Sequence, residues 1–246
     1  MNRLQLTPVV KQLVIACFVL FAGTYLLKFK GIIDLDDILA MHFPKSDLFK
    51  PWQIITHMFM HGGIWHIAFN MFALVSIGVV IERFIGSKKF LQLYFFSGLG
   101  AIFIHLVSQV IQVHSITGLW FPDESILGLQ VHGTSVQYNT NYFSSGADAV
   151  TVAEIYFGGV LGASGAIYGL AAAFAFLFPN TELVFLFIPY PIKAKYMIPG
   201  IVLLDIIFGF SNFSGDPVAH FAHIGGALFG LALVYYWRRF DKNNFY

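Results

Sequence analysis

Two polar side chains that could cooperate in catalysis lie in apolar segments far apart in the chain. Ser164 stands in the stretch GASG at residues 162–165, and His220 and His223 open a later apolar segment. An ionisable side chain in hydrocarbon costs about 2 to 4 kcal/mol, so its presence there suggests a function. A histidine that takes the hydroxyl proton turns serine into a nucleophile. We therefore expect Ser164 as the nucleophile and His223, rather than His220, as its base.

A second set of residues could stabilise the anion that forms when serine attacks a carbonyl. His66 and Asn70 are four residues apart, so they share one face of a helix. Hydrogen-bond donors aimed at the developing charge are the usual solution to this problem. His61 and Gly162 are supporting members of the set. Tyr168, one turn after the nucleophile, is expected to pack its ring on the imidazole of the base.

The sequence offers no acidic residue with an evident position beside the base. Asp205 falls in the middle of an apolar segment, and we expect it deeper in the membrane than the serine, paired with a polar group of a neighbouring helix. Glu82 lies at the far end of its own segment. The sequence therefore predicts a Ser–His dyad.

Composition places the chain in a membrane. Of its 246 residues 57% are hydrophobic and only 11% are charged, against about 25% charged in soluble domains. The 14 Lys and Arg are scattered, so we expect no nucleic-acid partner. Cys17 is the only cysteine and no HExxH motif occurs, so we expect no metal and no cofactor.

Six apolar runs approach the length of about 20 residues that a spanning helix needs, and we assign them to one domain, 1–246. Basic residues in 82–89 and 179–195 predict cytoplasmic termini, and the long connection 113–156, which has no Lys or Arg, is expected outside. The loop 28–50, also assigned outside, disagrees because it carries four lysines. The runs lie near 9–28, 55–81, 90–112, 157–178, 196–213 and 218–237.

This topology predicts where the polar residues lie along the spans. Ser164 comes about seven residues into span four, which corresponds to roughly 10 Å of helical rise below the outer boundary. His223 and His66 should reach comparable depths on their own spans. Glycines in spans four and six predict close helix packing, with span four at the buried centre of the bundle.

Three motifs taken together resemble the rhomboid family of intramembrane serine proteases. They are HGGIWHIAFN at 61–70, GASGAIYG at 162–169 and AHFAHIGG at 219–226. The resemblance extends over the six apolar runs in order. It implies an all-α, six-transmembrane-helix rhomboid-like bundle in which Ser164 is the nucleophile and His223 the base.

The resemblance also implies roles for residues around this pair, and two features depart from it. By position, His66 and Asn70 would serve the oxyanion, and Tyr168 would be the tyrosine that follows the nucleophile. Many members carry a Trp-Arg pair before the second span where this chain has Trp52-Gln53, so the role of that arginine is absent or relocated. The 113–156 connection is also longer than expected for a compact bacterial member.

These features predict a serine endopeptidase that cleaves the transmembrane segments of membrane proteins in the lipid bilayer through an acyl-enzyme. We expect a multi-pass protein of the bacterial inner membrane with both termini cytoplasmic. Span five and the loop 211–219 are a possible lid, with Gly209, Ser211, Gly215 and Pro217 as hinge residues. The main alternative is a catalytically silent rhomboid-like protein that binds membrane clients or serves in quality control. A channel or transporter would be expected to show inverted repeats, which we do not find.

Overall fold

The computed structural model describes residues 5–133, 135–185, 188–211 and 219–240, and most of these are helical. The helices in chain order are α1 (Pro8–Phe29), α2 (Leu35–Leu39), α3 (Gln53–Thr56), α4 (Ile64–Ala73), α5 (Val79–Thr117), α6 (Glu124–Leu127), α7 (Gly146–Phe157), α8 (Ser164–Leu177), α9 (Ala194–Ser211) and α10 (His220–Phe240). The strands are β1 (Gln130–His132), β2 (Ser135–Gln137), β3 (Glu182–Phe185) and β4 (Ile188–Lys193). They form two antiparallel hairpins, β1–β2 and β3–β4, so the expected all-α class describes the helical bundle but omits these hairpins.

Among the described residues, two helical stretches are long and apolar enough to cross a membrane. They are Pro8–Phe29, with a mean hydropathy of 1.9, and Ile64–Thr117, with 54 residues and a mean hydropathy of 2.0. The longer stretch is broken at Gly86, whose φ of 79° and ψ of 158° are not helical. The predicted spans two and three are therefore separate helices that meet at Gly86, inside the predicted basic turn. The count of six spans stays a prediction.

The start of the predicted second span is wrong. Residues 53–59 form α3 and a short 3₁₀ turn, and residues 60–63 are not helical before α4 begins at Ile64. From there a helical path continues through a π-helical turn, Leu74–Gly78, into α5. His61 therefore lies before the helix, whereas His66 lies in its first turn.

The start of the predicted fourth span is also wrong. Residues 158–163 are non-helical, and Val160 pairs with Met41 in an antiparallel bridge with N–H···O distances of 2.8 and 2.9 Å. Gly162 has a φ of +134°, a value that L-residues rarely adopt and that is not helical. Ser164 is consequently the first residue of α8, so the depth inferred from seven helical residues does not apply.

Glycines bring α8 and α10 into contact along their backbones. A Cβ on Gly226 of α10 would collide with the carbonyl oxygen of Gly165 on α8, and one on Gly230 would lie 2.5 Å from the Cα of Gly169. On the other side, a Cβ on Gly225 would lie 2.7 Å from a carbonyl oxygen of α5. This close approach is the packing that the glycine spacing predicts, and most of α8 is buried.

The connection after α5 is more structured than expected. Helix α5 continues to Thr117, so the connection begins at Gly118, and it contains α6, the β1–β2 hairpin and α7. The Ser145 side chain caps α7 by accepting the Asp148 N–H at 3.2 Å. The buried face of α7 belongs to a hydrophobic cluster separate from that of the main bundle. Its buried residues on α7 are Ala149, Val152, Ala153, Ile155 and Tyr156.

Gln53 organises the loop that precedes α3. Its side chain is fully buried, and its oxygen accepts the backbone N–H of Lys50 at 3.0 Å and of His42 at 3.3 Å. Its nitrogen donates to the carbonyl oxygen of Leu48 at 3.0 Å. Gln53 therefore holds this loop together through its amide group. It stands in place of the arginine of the Trp-Arg pair.

Glu82 stabilises the start of α1 by accepting backbone hydrogen bonds. Its two carboxylate oxygens accept the backbone N–H groups of Val9 and Val10 at 3.0 and 2.9 Å. These N–H groups belong to the first turn of α1, where no intrahelical acceptor exists. The Ser87 hydroxyl also donates to Glu82, at 2.6 Å. The carboxylate therefore fixes the start of α1 against the helix that carries Glu82.

Candidate active site

Ser164 and His223 lie side by side. The Ser164 hydroxyl oxygen is 3.0 Å from Nε2 of His223, a hydrogen-bond distance. Ser164 begins α8 and His223 is in the first turn of α10, and the glycine contacts between these two helices set the spacing. The His223 side chain is buried and Ser164 is half-buried. The predicted nucleophile and base are therefore brought together.

The expectation that Asp205 pairs with a polar group of a neighbouring helix is confirmed, but the expectation that no carboxylate lies beside His223 is wrong. Its Oδ1 is 3.1 Å from Nδ1 of His223 and 2.6 Å from Nδ1 of His220. Asp205 lies in the C-terminal half of α9, and both histidines lie in the first turn of α10, so the adjoining ends of two consecutive helices meet here. Sequence reasoning missed this contact because the rotational position of α9 against α10 is not encoded in residue spacing.

Tyr168 packs on His223 as expected. Its ring stacks on the His223 imidazole with centroids 4.1 Å apart and an interplanar angle of 8°. Its hydroxyl lies within hydrogen-bonding reach of the Asp205 carboxylate. The imidazole is therefore held on one face by an aromatic ring and on one edge by a carboxylate.

His66 faces the serine across Gly162. A Cβ on Gly162 would lie 2.9 Å from Nε2 of His66 and 3.5 Å from Oγ of Ser164, so only glycine leaves the space between them open. The Gly162 N–H donates to the carbonyl oxygen of His57 at 2.9 Å, which holds this backbone in place. The first N–H groups of α8 also lack intrahelical acceptors. An anion between His66 and Ser164 would find donors on both sides.

The other two members of the predicted oxyanion set, Asn70 and His61, do not line the cavity beside Ser164. Asn70 is 7% exposed, and its Nδ2 has no hydrogen-bond partner in the part of the chain that the structure describes. His61 contacts the His66 ring edge-on, with centroids 5.2 Å apart. It lines a small separate cavity of about 130 Å³. His61 therefore supports the position of His66 and does not face Ser164 across the main cavity.

A cavity of about 910 Å³ opens onto Ser164, His223, His66 and Gly162. Asn70, Tyr168 and His61 do not line it. It continues along polar residues that sequence reasoning missed, although three of them share one face of α5 at helical spacing. These polar residues are His105, Gln109, Gln112, Thr151 and Glu154. Ser164 therefore lies at the wall of a cavity with room for water molecules.

Asp205, His220 and His223 are also of the residue types that bind zinc. Their ligand atoms lie within 4.8 Å of one another, in the described part of the chain. Both Nδ1 atoms, however, point at the same carboxylate oxygen at hydrogen-bond distance. Hydrogen bonding accounts for this cluster.

Comparison with known proteins assigns the chain to a family. The family model of the rhomboid domain matches residues 48–119 and 126–240, which is most of the chain. The chain therefore belongs to the rhomboid family of integral membrane proteins, which includes serine proteases. The match contains every residue of the site described above.

Individual relatives agree with this assignment. The chain is 29% identical over 192 residues to a mitochondrial rhomboid protein of Schizosaccharomyces pombe, covering 73% of this chain and 48% of the relative. It is 29% identical over 189 residues to the rhomboid protease AarA of Providencia stuartii, covering 73% and 53%. It is 27% identical over 187 residues to the human presenilin-associated rhomboid-like protein, mitochondrial, covering 74% and 37%.

These relatives bear on two further points. The chain spans about half the length of the curated relatives it matches. Several of them are mitochondrial proteins of yeasts and mammals, so the comparisons do not support the expected bacterial inner membrane.

Proposed function

We propose that this protein is an intramembrane serine endopeptidase that cleaves transmembrane segments of other membrane proteins. The observation that carries the proposal is the 3.0 Å contact between the Ser164 hydroxyl and Nε2 of His223, at the wall of a cavity that His66 also lines. A hydroxyl, a base and an oxyanion donor around one space are the parts that acyl transfer requires. Membership of a family that includes serine proteases supports the same reaction.

The reaction begins with attack of Ser164 Oγ on the carbonyl carbon of the scissile peptide. As the O–C bond forms, the hydroxyl proton moves to Nε2 of His223, and the carbonyl oxygen becomes an oxyanion between His66 and the first N–H groups of α8. The C–N bond then breaks, and His223 gives its proton to the leaving amine. A water molecule from the cavity hydrolyses the acyl-Ser164 ester with the same base.

The predicted topology explains why a transmembrane substrate would be cut near its end. In the proposed arrangement six spans form one domain, both termini are cytoplasmic, and the site lies toward the outer face. A substrate helix hides its carbonyl groups in hydrogen bonds, so it must unwind locally before attack. Substrates with glycine or proline near the outer boundary should therefore be preferred.

Entry of a helix into the cavity requires an opening between spans. We propose α9 as the movable element, because it lies beside α10 and ends next to the cavity, which Phe208 and Gly209 line. Of the hinge residues suggested by the sequence, Gly209 lies in α9, where a Cβ would come within 3.3 Å of the Cβ of His220. Gly215 and Pro217 lie outside the described residues.

The proposal is tested by labelling the purified protein in detergent with a fluorescent fluorophosphonate. We expect covalent labelling of Ser164 that is lost in Ser164→Ala and in His223→Ala, while both variants remain folded and unfold cooperatively on heating. Ser108→Ala is the matched control, because this serine also lines the cavity but its hydroxyl donates to the carbonyl oxygen of His105 at 2.7 Å. Labelling that survives Ser164→Ala would rule out Ser164 as the nucleophile, and a wild-type protein that no probe labels would favour the client-binding alternative.

A further inference from the structure

The carboxylate of Asp205 and the hydroxyl of Ser164 contact opposite nitrogens of one imidazole. Nε2 of His223 is 3.0 Å from Ser164 Oγ, and Nδ1 is 3.1 Å from Asp205 Oδ1. A neutral imidazole carries a single N–H proton, on either nitrogen. A carboxylate beside Nδ1 holds the proton there, which leaves the Nε2 lone pair directed at the hydroxyl.

We propose that Asp205 is a positioning residue for the base, so that Ser164, His223 and Asp205 act as a catalytic triad. This inference rests on the proposed protease function. Asp205 touches neither substrate nor the reacting atoms, and it acts through His223 in two ways. Before the reaction it selects the tautomer in which Nε2 can accept a proton. During the reaction its negative charge stabilises the imidazolium that proton transfer creates.

Burial makes the second effect strong. Asp205 is 5% exposed and His223 is 9% exposed. Opposite charges attract more strongly in such an environment than in water, because the effective dielectric constant is lower. A buried carboxylate is tolerated only when its oxygens accept hydrogen bonds. The hydrogen bonds from His220 and His223 therefore allow an aspartate to be buried on α9.

His220 helps to hold the carboxylate in place. Its Nδ1 is 2.6 Å from the same Oδ1 that faces His223, and the Tyr168 hydroxyl is within hydrogen-bonding reach of the carboxylate. Two imidazoles thus share one carboxylate oxygen. We assign His220 as a support for Asp205, one contact further from the reaction than His223.

The first test compares rates of fluorophosphonate labelling. Asp205→Asn keeps the shape of the side chain but removes its charge, and we expect the maximal labelling rate to fall about 10²- to 10⁴-fold with little change in probe binding. Asp205→Glu restores a carboxylate and should recover part of the rate. His220→Gln should slow labelling less than Asp205→Asn does. Leu204→Ala is the control, because this neighbouring α9 side chain is 51% exposed and should leave the rate unchanged.

The second test observes the tautomer directly and does not depend on any variant of Asp205. The ¹⁵N NMR spectrum of histidine-labelled wild-type protein should show His223 protonated at Nδ1, with the signal assigned by its loss in His223→Gln. An Nε2-protonated His223 would overturn the inference. So would an Asp205→Asn protein that is labelled at the wild-type rate.

These outcomes separate the inference from the function on which it rests. A wild-type protein labelled at Ser164, together with an unchanged Asp205→Asn rate, would leave the protease and reduce its site to a dyad. A wild-type protein that the probe does not label would overturn both.

Discussion

The two helix pairs that meet at His223 are held together differently. Helices α8 and α10 touch through glycine backbones, because an added Cβ on Gly226 would overlap the Gly165 carbonyl. Helices α9 and α10 meet through side chains, because a Cβ on Gly209 would come 3.3 Å from the Cβ of His220 and 3.4 Å from the ring of Phe221. The distance between Ser164 Oγ and His223 Nε2 is therefore set by backbone contact, whereas the position of Asp205 depends on side chains that can adjust.

Gly226→Ala should have the largest effect, because the new methyl group meets backbone that cannot move aside. We expect loss of about 3 kcal/mol of stability, at the upper end for overpacking, and separation of Ser164 from His223. Thermal unfolding in detergent and fluorophosphonate labelling measure the two effects. The matched control is Gly200→Ala in α9, where an added Cβ has no atom within 4 Å. Wild-type melting and labelling in Gly226→Ala would show that backbone contact does not set the dyad distance.

Sequence patterns predicted the parts of the site that depend on local spacing. Ser164, His223 and the stacking of Tyr168 follow from residues within single helices, since one helical turn determines which side chains share a face. The close approach of α8 and α10 was also predictable, because glycine spacing within each helix marks the surface at which backbones can meet.

Other parts could not be predicted in the same way. The Asp205–His223 contact depends on how α9 is rotated against α10, which no spacing within either helix specifies. The sequence does not mark the start of α8, because residues 158–163 are as apolar as a helix would be. Helix α7 is not predicted because it lies in a Gly- and Ser-rich connection, although the Ser145–Asp148 cap and the spacing of its buried residues indicate a helix.

Gly162→Ala should have an intermediate effect, because it combines backbone strain with a side-chain contact. The φ of +134° makes any L-residue strained, by about 1 to 3 kcal/mol. The methyl group would also lie 2.9 Å from Nε2 of His66, in the space proposed for the oxyanion. We expect labelling to slow about 10²- to 10³-fold, the usual cost of losing one oxyanion donor.

The control for this change is Gly63→Ala. Gly63 also lines the main cavity, but its φ of −175° is ordinary extended backbone, and an added Cβ has no atom within 4 Å. Labelling of Gly63→Ala should match that of the wild type. If Gly162→Ala and Gly63→Ala label equally fast, the space between His66 and Ser164 does not hold the oxyanion.

Gly209→Ala should have the smallest effect. It tests whether α9, which contacts α10 through side chains, also moves when a substrate enters. Alanine favours the helix over glycine by about 1 kcal/mol, and this gain offsets the cost of the slight crowding against His220. We therefore expect nearly unchanged thermal stability and nearly unchanged labelling by the small probe. If α9 must bend at Gly209 to admit a substrate helix, cleavage of a reconstituted transmembrane substrate should slow while probe labelling does not. If substrate cleavage and probe labelling slow equally, the methyl group displaces His220 and Asp205. If neither reaction slows, α9 does not bend at Gly209.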